Sequence, residues 1–375
     1  MALDEQALDT VVIGAGPAGL GTALALGGVG GLSCMVCERG SVGQTFADWP
    51  AGQRFLTPSF TGNGFGATDL NAIHPVTSPA FTLGTDYPDG RGYAAYLRTV
   101  ASHFKIPVVE HADVTAVTAA GGGFEVETGK GTLRARTLVW AGGEFHHPQM
   151  PPIEGADLLD HSSSSAAWAP RGAGIHLVVV GGYESGMDLA CHHVRHGARV
   201  TVADAGAPWD DGAKGADPSF LLAPRTRVRL RRALATGRLT LAAADVVRVV
   251  PEDGGFLVRL GDRRTLPSPT RPVSAAGYGP GLGPVSRLFA RRDDGWPLLD
   301  RDDQSTTTPG LFLSGPAVRH GRLKFCFIYK YRQRFAHIAG AIGKSLGKDV
   351  SALEAWRAAG MLSDDLSCCG VDCAC

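Results

Sequence analysis

Val11-Val12-Ile13-Gly14-Ala15-Gly16-Pro17-Ala18-Gly19-Leu20 decides the fold, together with Glu38, which lies 24 positions after Gly14. Three apolar β-formers run into G-x-G-x-x-G, and a small-residue helical pattern (Leu20, Thr22, Ala23, Ala25) follows. A strand, a tight phosphate loop and a helix in that order make one βαβ dinucleotide unit. Gly14 permits the turn, Gly16 lets a pyrophosphate approach the backbone, and Gly19 lets helix and strand pack closely. The helix N-terminus offers unpaired N–H groups and a partial positive charge to a diphosphate. Glu38 closes the next strand, Cys34-Met35-Val36-Cys37, where a carboxylate can accept both hydroxyls of an adenosine ribose.

The pattern recurs once. His176-Leu177-Val178-Val179-Val180 reads as a buried parallel strand, and Gly181-Gly182-Tyr183-Glu184-Ser185-Gly186 opens a helix. The stretch from Ala198 to Asp204 is the second strand, with its acid 23 residues past Gly181. Tyr183 replaces the middle glycine and crowds the usual route of a pyrophosphate. Asp204 welcomes a ribose 2′-hydroxyl and repels a 2′-phosphate, so the expected donor is NADH, with NADPH as the alternative.

A chain of 375 residues is long enough for two or three domains, each with its own core. Lys+Arg and Asp+Glu are equal at 36 each, so net charge invites neither nucleic acid nor an anionic membrane. No run of about 18 uncharged apolar residues occurs, so no membrane span is expected. The acidic opening Met1-Ala2-Leu3-Asp4-Glu5-Gln6 is unlike a signal peptide, and the cytoplasm is the expected compartment. The arginine run from Arg225 to Arg232 reads as a solvated face.

Two nucleotide units, one near the N-terminus and one near the middle, resemble the two-dinucleotide-binding-domain flavoproteins over roughly residues 9–345. That superfamily includes thioredoxin-reductase-like disulfide oxidoreductases and class B flavin monooxygenases. The resemblance implies an α/β fold of two Rossmann-like, three-layer ββα domains, the second inserted into the first. Residues 1–165 plus 276–347 would bind FAD, 166–275 would bind NAD(P)H, and 348–375 would form a C-terminal helix and flexible Cys-rich tail. It assigns to FAD the residues Gly14, Gly16, Pro17, Ala18, Gly19, Glu38, Arg39, Gln44, Thr45, Trp49, Val114, Ala141, Gly142 and Gly315. To the nicotinamide nucleotide it assigns Gly181, Tyr183, Glu184, Ser185, Gly186 and Asp204, with Ala276 and Gly277 where the chain crosses back. The Asp that usually follows the glycine of the last FAD strand is Pro316 here.

Two branches compete. Trp140-Ala141-Gly142-Gly143-Glu144-Phe145-His146 resembles the F-x-G-x-x-x-H frame of class B monooxygenases, except for Trp at its first position. Phe327-Ile328-Tyr329-Lys330-Tyr331-Arg332, and a non-glycine residue in the second fingerprint, resemble the bacillithiol-disulfide-reductase-like branch. Ala18, however, stands where that branch would place a flavin-proximal cysteine.

Cysteines tip the balance. Four of the eight crowd the last eight residues: Cys368, Cys369, Cys373 and Cys375. Such a cluster in a cytosolic chain signals metal binding or catalysis rather than a disulfide framework. Chain ends are usually mobile, and 16 residues from Gly360 span roughly 50 Å when extended. Leu366-Ser367-Cys368-Cys369 resembles the C-terminal vicinal pair of mercuric reductase. Adjacent thiols can form a readily reduced disulfide or capture a soft metal(loid) as thiolates. Cys326 is the candidate inner thiol, with Arg322 and Lys324 nearby to lower its pKa. Cys34 and Cys37, at i and i+3 of a strand, face opposite sides and read as core. His192, His193 and His196 read as core or surface histidines rather than a metal site.

The favoured expectation is therefore an FAD- and NAD(P)H-dependent oxidoreductase acting on a disulfide or thiophilic metal(loid) through the tail cysteines. The alternatives are a class-B-like monooxygenase and a flavin-containing soft-metal-binding protein. The expected partner is a small molecule rather than nucleic acid or membrane, and tail delivery between subunits would favour a homodimer.

Overall fold

A computed structural model describes residues 7–62, 66–210 and 217–366. It begins with strand β1 (Leu8–Ile13), helix α1 (Pro17–Leu26) and strand β2 (Cys34–Cys37). Short helices α2 (Gln44–Ala47) and α3 (Pro79–Leu83) lead to α4 (Gly90–His103). Strands β3 (Val108–Val109), β4 (Val114–Ala120), β5 (Gly123–Thr128) and β6 (Gly131–Trp140) complete this first stretch. The middle of the chain holds β7 (Asp160–His161), α5 (Ser165–Trp168), β8 (His176–Val180), α6 (Glu184–Arg195) and β9 (Arg199–Ala203). It continues through α7 (Pro224–Ala235), β10 (Leu239–Ala242), β11 (Val246–Glu252), β12 (Gly255–Leu260), β13 (Thr265–Ser268) and β14 (Val273–Ser274). The last part adds β15 (Leu311–Leu313), the hairpin β16 (Arg319–His320) and β17 (Leu323–Lys324), then α8 (Ile328–Tyr331), α9 (Phe335–Ser345) and α10 (Glu354–Ala358).

The chain divides into two compact units. Among the described residues, the first holds 7–48, 57–146 and 280–366, and the second holds 49–56 and 147–279. In the first unit a sheet runs β3-β2-β1-β6-β5-β4, with β15 pairing the other end of β6. β1, β2, β3, β6 and β15 are mutually parallel, whereas β4, β5 and β6 form an antiparallel meander. α1 is apolar and buried on every side, because sheet and helix cover it from both directions. α9 lies against α1, and a Cβ at Gly21 would fall 2.0 Å from the Phe335 ring. Glycine there sets how closely the two helices approach.

In the second unit a parallel sheet runs β10-β9-β8-β14-β7, and a separate antiparallel sheet runs β11-β12-β13. β8 is sealed by apolar clusters on both faces, which is why its sequence reads Leu-Val-Val-Val without alternation. Both units are Rossmann-like layers of helix on parallel sheet, and the second interrupts the first.

Several boundaries differ from the expected ones: the first unit resumes at 280 rather than 276 and keeps residues 348–366. The second unit begins at 147 rather than 166, because β7 pairs in parallel with β14 (Asp160 with Val273, His161 with Ser274). Residues 49–56 also belong to it, although the chain around them builds the first unit. A Cβ at Gly52 would fall 2.8 Å from the His192 ring and 3.0 Å from Trp168, so this segment needs glycine to lie flat on α5 and α6.

Candidate flavin and pyridine-nucleotide sites

The loop after β1 is built by clearance. Gly14 has φ +103°, and a Cβ on it would fall 2.5 Å from the Ala141 carbonyl oxygen. A Cβ on Gly19 would fall 1.8 Å from the carbonyl oxygen of Gly14, so the helix can start only over a glycine. Gly16 differs from both: its φ of −81° and ψ of −174° suit any residue. Nothing lies within 4 Å of where its Cβ would be. Glycine at 16 therefore keeps space open above the N-terminus of α1, where a diphosphate would rest.

Glu38, at the exit of β2, accepts the Ala15 N–H at 2.7 Å and the Gly40 N–H at 2.8 Å. These bonds aim its carboxylate beside the loop, with lone pairs left for ribose hydroxyls. The Glu38 carbonyl accepts from Ala112, which brings Val114 at the head of β4 close by. Gly315, with φ +112°, would carry a Cβ 3.0 Å from Ala18, so the last strand also closes on this loop. Ala141 N–H binds the Ile13 carbonyl at 2.9 Å, and Gly142 is exposed beside it. Pro17 is the first residue of α1, Arg39 is exposed beside Glu38, and Gln44 at the start of α2 donates to Asp48 just past its end. Thr45 Oγ1 lies 3.1 Å from His146 Nε2. The first unit thus gathers these sequence-assigned FAD residues, and its open cradle fits a flavin dinucleotide. Trp49 instead falls in the second unit, its ring 5.3 Å from Phe55.

The loop after β8 repeats the construction. Gly181 has φ +100°, with the Ala275 carbonyl oxygen 2.8 Å from its virtual Cβ, and Gly186 would meet the Gly181 oxygen at 1.9 Å. Asp204 accepts the Gly182 and Gly206 N–H groups, each at 2.7 Å. Tyr183 has a backbone nearly identical to that of Gly16 (φ −81°, ψ −163°). Its ring packs against the unit's apolar core, and its hydroxyl donates to the carbonyls of Leu221 (2.9 Å) and Pro218 (3.2 Å). Glu184 is buried and accepts from the Thr226 hydroxyl at 2.6 Å and from the Ala223 N–H at the head of α7. Burial pushes this carboxyl above its usual range against those two bonds. Ser185 is half-buried at the start of α6 and Ala276 is exposed. The Gly277 carbonyl accepts from Gln149 N–H and lies 3.0 Å from His161 Nε2. The arginine run is only partly a solvated face. Arg229 pairs with buried Asp188, and Arg227 donates to the Leu222 carbonyl at 2.8 Å.

Cys326 lies just past the β16–β17 hairpin, in which Arg319 pairs with Lys324 and the Phe325 N–H donates to Val318. Besides the Arg322 and Lys324 expected from the sequence, the Arg319 guanidinium interacts electrostatically with this thiol. Arg319 stacks 4.0 Å from the Trp296 ring and donates to the Val318 and Pro316 carbonyls. Burial lowers its pKa, opposed by Cys326, Glu144 and Asp294. Sequence reasoning did not single out Glu144 or Arg319, which stand 175 positions apart. Burial pushes Cys34 up to about 12 and Cys37 to about 11, as befits unreactive thiols within β2. His192 and His193 point Nε2 at the carbonyls of Trp168 and Ala167, and the His196 Nδ1 faces the His192 carbonyl, so all three serve α6 and its neighbours. Among the described residues no group of three His, Cys, Asp or Glu could hold a metal.

The tail cysteines Cys368, Cys369, Cys373 and Cys375 lie outside the described residues. The chain leading to them is firmly rooted. Ser363 N–H donates to the Gln333 carbonyl at 3.0 Å, and Arg334 donates to the Ser363 carbonyl at 2.8 Å. Arg334 is fully buried, paired with the equally buried Asp303 at 2.7 Å, and Asp303 also holds His320 at 2.5 Å.

The sequence profile of the pyridine nucleotide-disulphide oxidoreductases matches residues 11–315. The chain belongs to that family. Bacilliredoxin reductase Bdr of Bacillus subtilis is 24% identical over 340 residues, covering 89% of this chain and 97% of the relative. The fold is that of Staphylococcus aureus bacillithiol disulfide reductase Bdr, with a TM-score of 0.72, 21% identity, and 91% and 99% of the two chains covered. It is shared with the flavin-containing monooxygenase of Stenotrophomonas maltophilia, at TM-score 0.69 and 18% identity, covering 91% and 99%. The protein is accordingly an oxidoreductase of flavin and pyridine nucleotide. Among the described residues no helix is long and apolar enough to cross a membrane.

Proposed function

We propose that the chain reduces a disulfide or a thiophilic metal(loid), with FAD on the first unit, NADH on the second, and Cys326 and the tail cysteines as its thiols. When bound, the nicotinamide and flavin would supply hydride transfer and onward two-electron chemistry. The residues contribute placement. The α1 N-terminus and the space above Gly16 would hold the diphosphate, Glu38 would orient the adenosine ribose, and Asp204 would disfavour a 2′-phosphate on the donor.

The observation that carries the thiol reading is the anchoring of Ser363 on Gln333 and Arg334. Gln333 is seven residues beyond Cys326, across α8, a helical path of about 10–14 Å. Cys368 lies five residues beyond Ser363, a reach of about 17 Å when extended. A tail thiol can therefore meet Cys326 of its own subunit. The Arg319 guanidinium interacts electrostatically with Cys326 at the meeting point, and the thiolate is the form that exchanges with disulfides and binds soft metals.

Anaerobic rapid mixing with NADH and with NADPH tests the reading, followed by a low-molecular-weight disulfide, Hg(II) or O₂. The expected result is faster flavin reduction by NADH, and reoxidation by disulfide or Hg(II) that is lost when Cys368, Cys369, Cys373 and Cys375 are all serine. Unchanged turnover in that variant overturns the shuttle. Reoxidation by O₂ alone, yielding an oxygenated product, makes the enzyme a monooxygenase instead.

A further inference from the structure

Gly182 is a glycine that the backbone does not require. It lies outside the left-handed region, and the same place in the loop after β1 is held by the fully buried Ala15. What needs glycine here is an indole. A Cβ on Gly182 would fall 2.5 Å from Cζ3 and 3.0 Å from Cε3 of the Trp209 ring. The chain carrying that ring leaves β9 through two tight turns. Ala207 N–H donates to the Asp204 carbonyl at 3.2 Å, and Asp210 N–H to the Ala207 carbonyl at 3.0 Å. Ala207 stands at φ +41°, a conformation uncommon for any residue but glycine. The turns fold Trp209 back onto the very residue whose N–H holds the Asp204 carboxylate at 2.7 Å. The indole is half-buried and packs against the apolar cluster of its unit, so part of the ring stays open.

We infer that Trp209 is the residue on which the adenine of the pyridine nucleotide stacks; this rests on the reading that the second unit carries that nucleotide. The acid that ends the second strand of such a unit takes the ribose hydroxyls of the adenosine half. Asp204 is that acid, and the indole lies against the glycine that steadies it. The base is joined to that same ribose, and the uncovered part of the indole offers it a flat aromatic surface. Because the core and the loop already pin the ring, stacking on it costs little side-chain freedom. A π-face reads no phosphate, so the contact strengthens the adenosine half of NADH and NADPH alike. The choice between the two donors stays with Asp204.

The test uses the full flavin-loaded chain and two probes. ADP-ribose, read by calorimetry, reports the adenosine half; reduced nicotinamide mononucleotide, read by rapid-mixing flavin reduction, reports the other half. Trp209→Leu keeps apolar bulk for the core but no ring, and should bind ADP-ribose about 10–100-fold more weakly. Trp209→Phe keeps a ring and should stay within about threefold of the parent. The mononucleotide has no adenine to stack, so its rate should change by less than about twofold in either variant. Gly182→Ala retains the indole but drives it off the loop, and should weaken ADP-ribose about tenfold. Unaltered ADP-ribose binding in Trp209→Leu or Gly182→Ala overturns the stack and leaves the nucleotide site in place. Equal weakening in the leucine and phenylalanine variants, or equal loss with both probes, does the same. A parent that binds neither ADP-ribose nor NADH overturns the reading of the second unit, and the inference with it.

Discussion

The loops after β1 and after β8 share one backbone and differ in what stands on it. Both turn on a glycine near φ +100°, start a helix over a glycine with under 2 Å of clearance, and steady an acid with two N–H groups. At the middle position they part: Gly16 leaves open space, whereas Tyr183 fills its side with a ring tied to two carbonyls. The backbone therefore demands the outer glycines and makes no demand at the middle one.

The largest effect tests the first half of that statement. Gly19→Ala and Gly186→Ala each drive a Cβ into a carbonyl oxygen, at 1.8 and 1.9 Å. Each should cost more than about 3 kcal/mol, because backbone rather than a flexible side chain must move. Urea unfolding should show the loss for both; a mild effect at either site would break the equivalence.

The middle position comes next. Gly16→Tyr should fold with its stability changed by less than about 1 kcal/mol, since its φ and ψ suit any residue. It should nevertheless purify without flavin. Tyr183→Gly should bind NADH about tenfold tighter by calorimetry. It should also lose about 1–3 kcal/mol of stability with the ring's packing and hydrogen bonds. Flavin retained by Gly16→Tyr would show that the space is not reserved.

Two-residue β7 explains one limit of sequence reading: Asp160-His161 is too short to show any period, so the unit boundary moved by 19 residues. β2 and β8 were legible to the residue, and β1 at its C-terminal end, because each is an apolar run ending in a glycine or an acid. The loop after β1 was equally legible, since its glycines and Glu38 sit within a few positions of those strand ends. Glu144 and Arg319 were not, because only tertiary packing brings them to face each other and no local pattern marks either. Segment 49–56 gave no sign that it packs on α5 and α6, for the contact hangs on the absent side chain of Gly52.

The smallest effect concerns the acids. Asp204→Asn keeps an acceptor for one of Gly182 and Gly206, turns an N–H₂ group toward the other and removes the charge, and should cost about 1–2 kcal/mol. It should also narrow the preference for NADH over NADPH, read as the ratio of kcat/KM for the two donors. An unchanged ratio would show that the second acid serves only its own loop.

Ser363 hangs from Arg334, whose charge is met by Asp303 where no solvent reaches either partner. Dissolved ions screen pairs at the surface and leave such an interior one nearly untouched. The moorings of the terminal segment should therefore hold in brine as they do in dilute buffer.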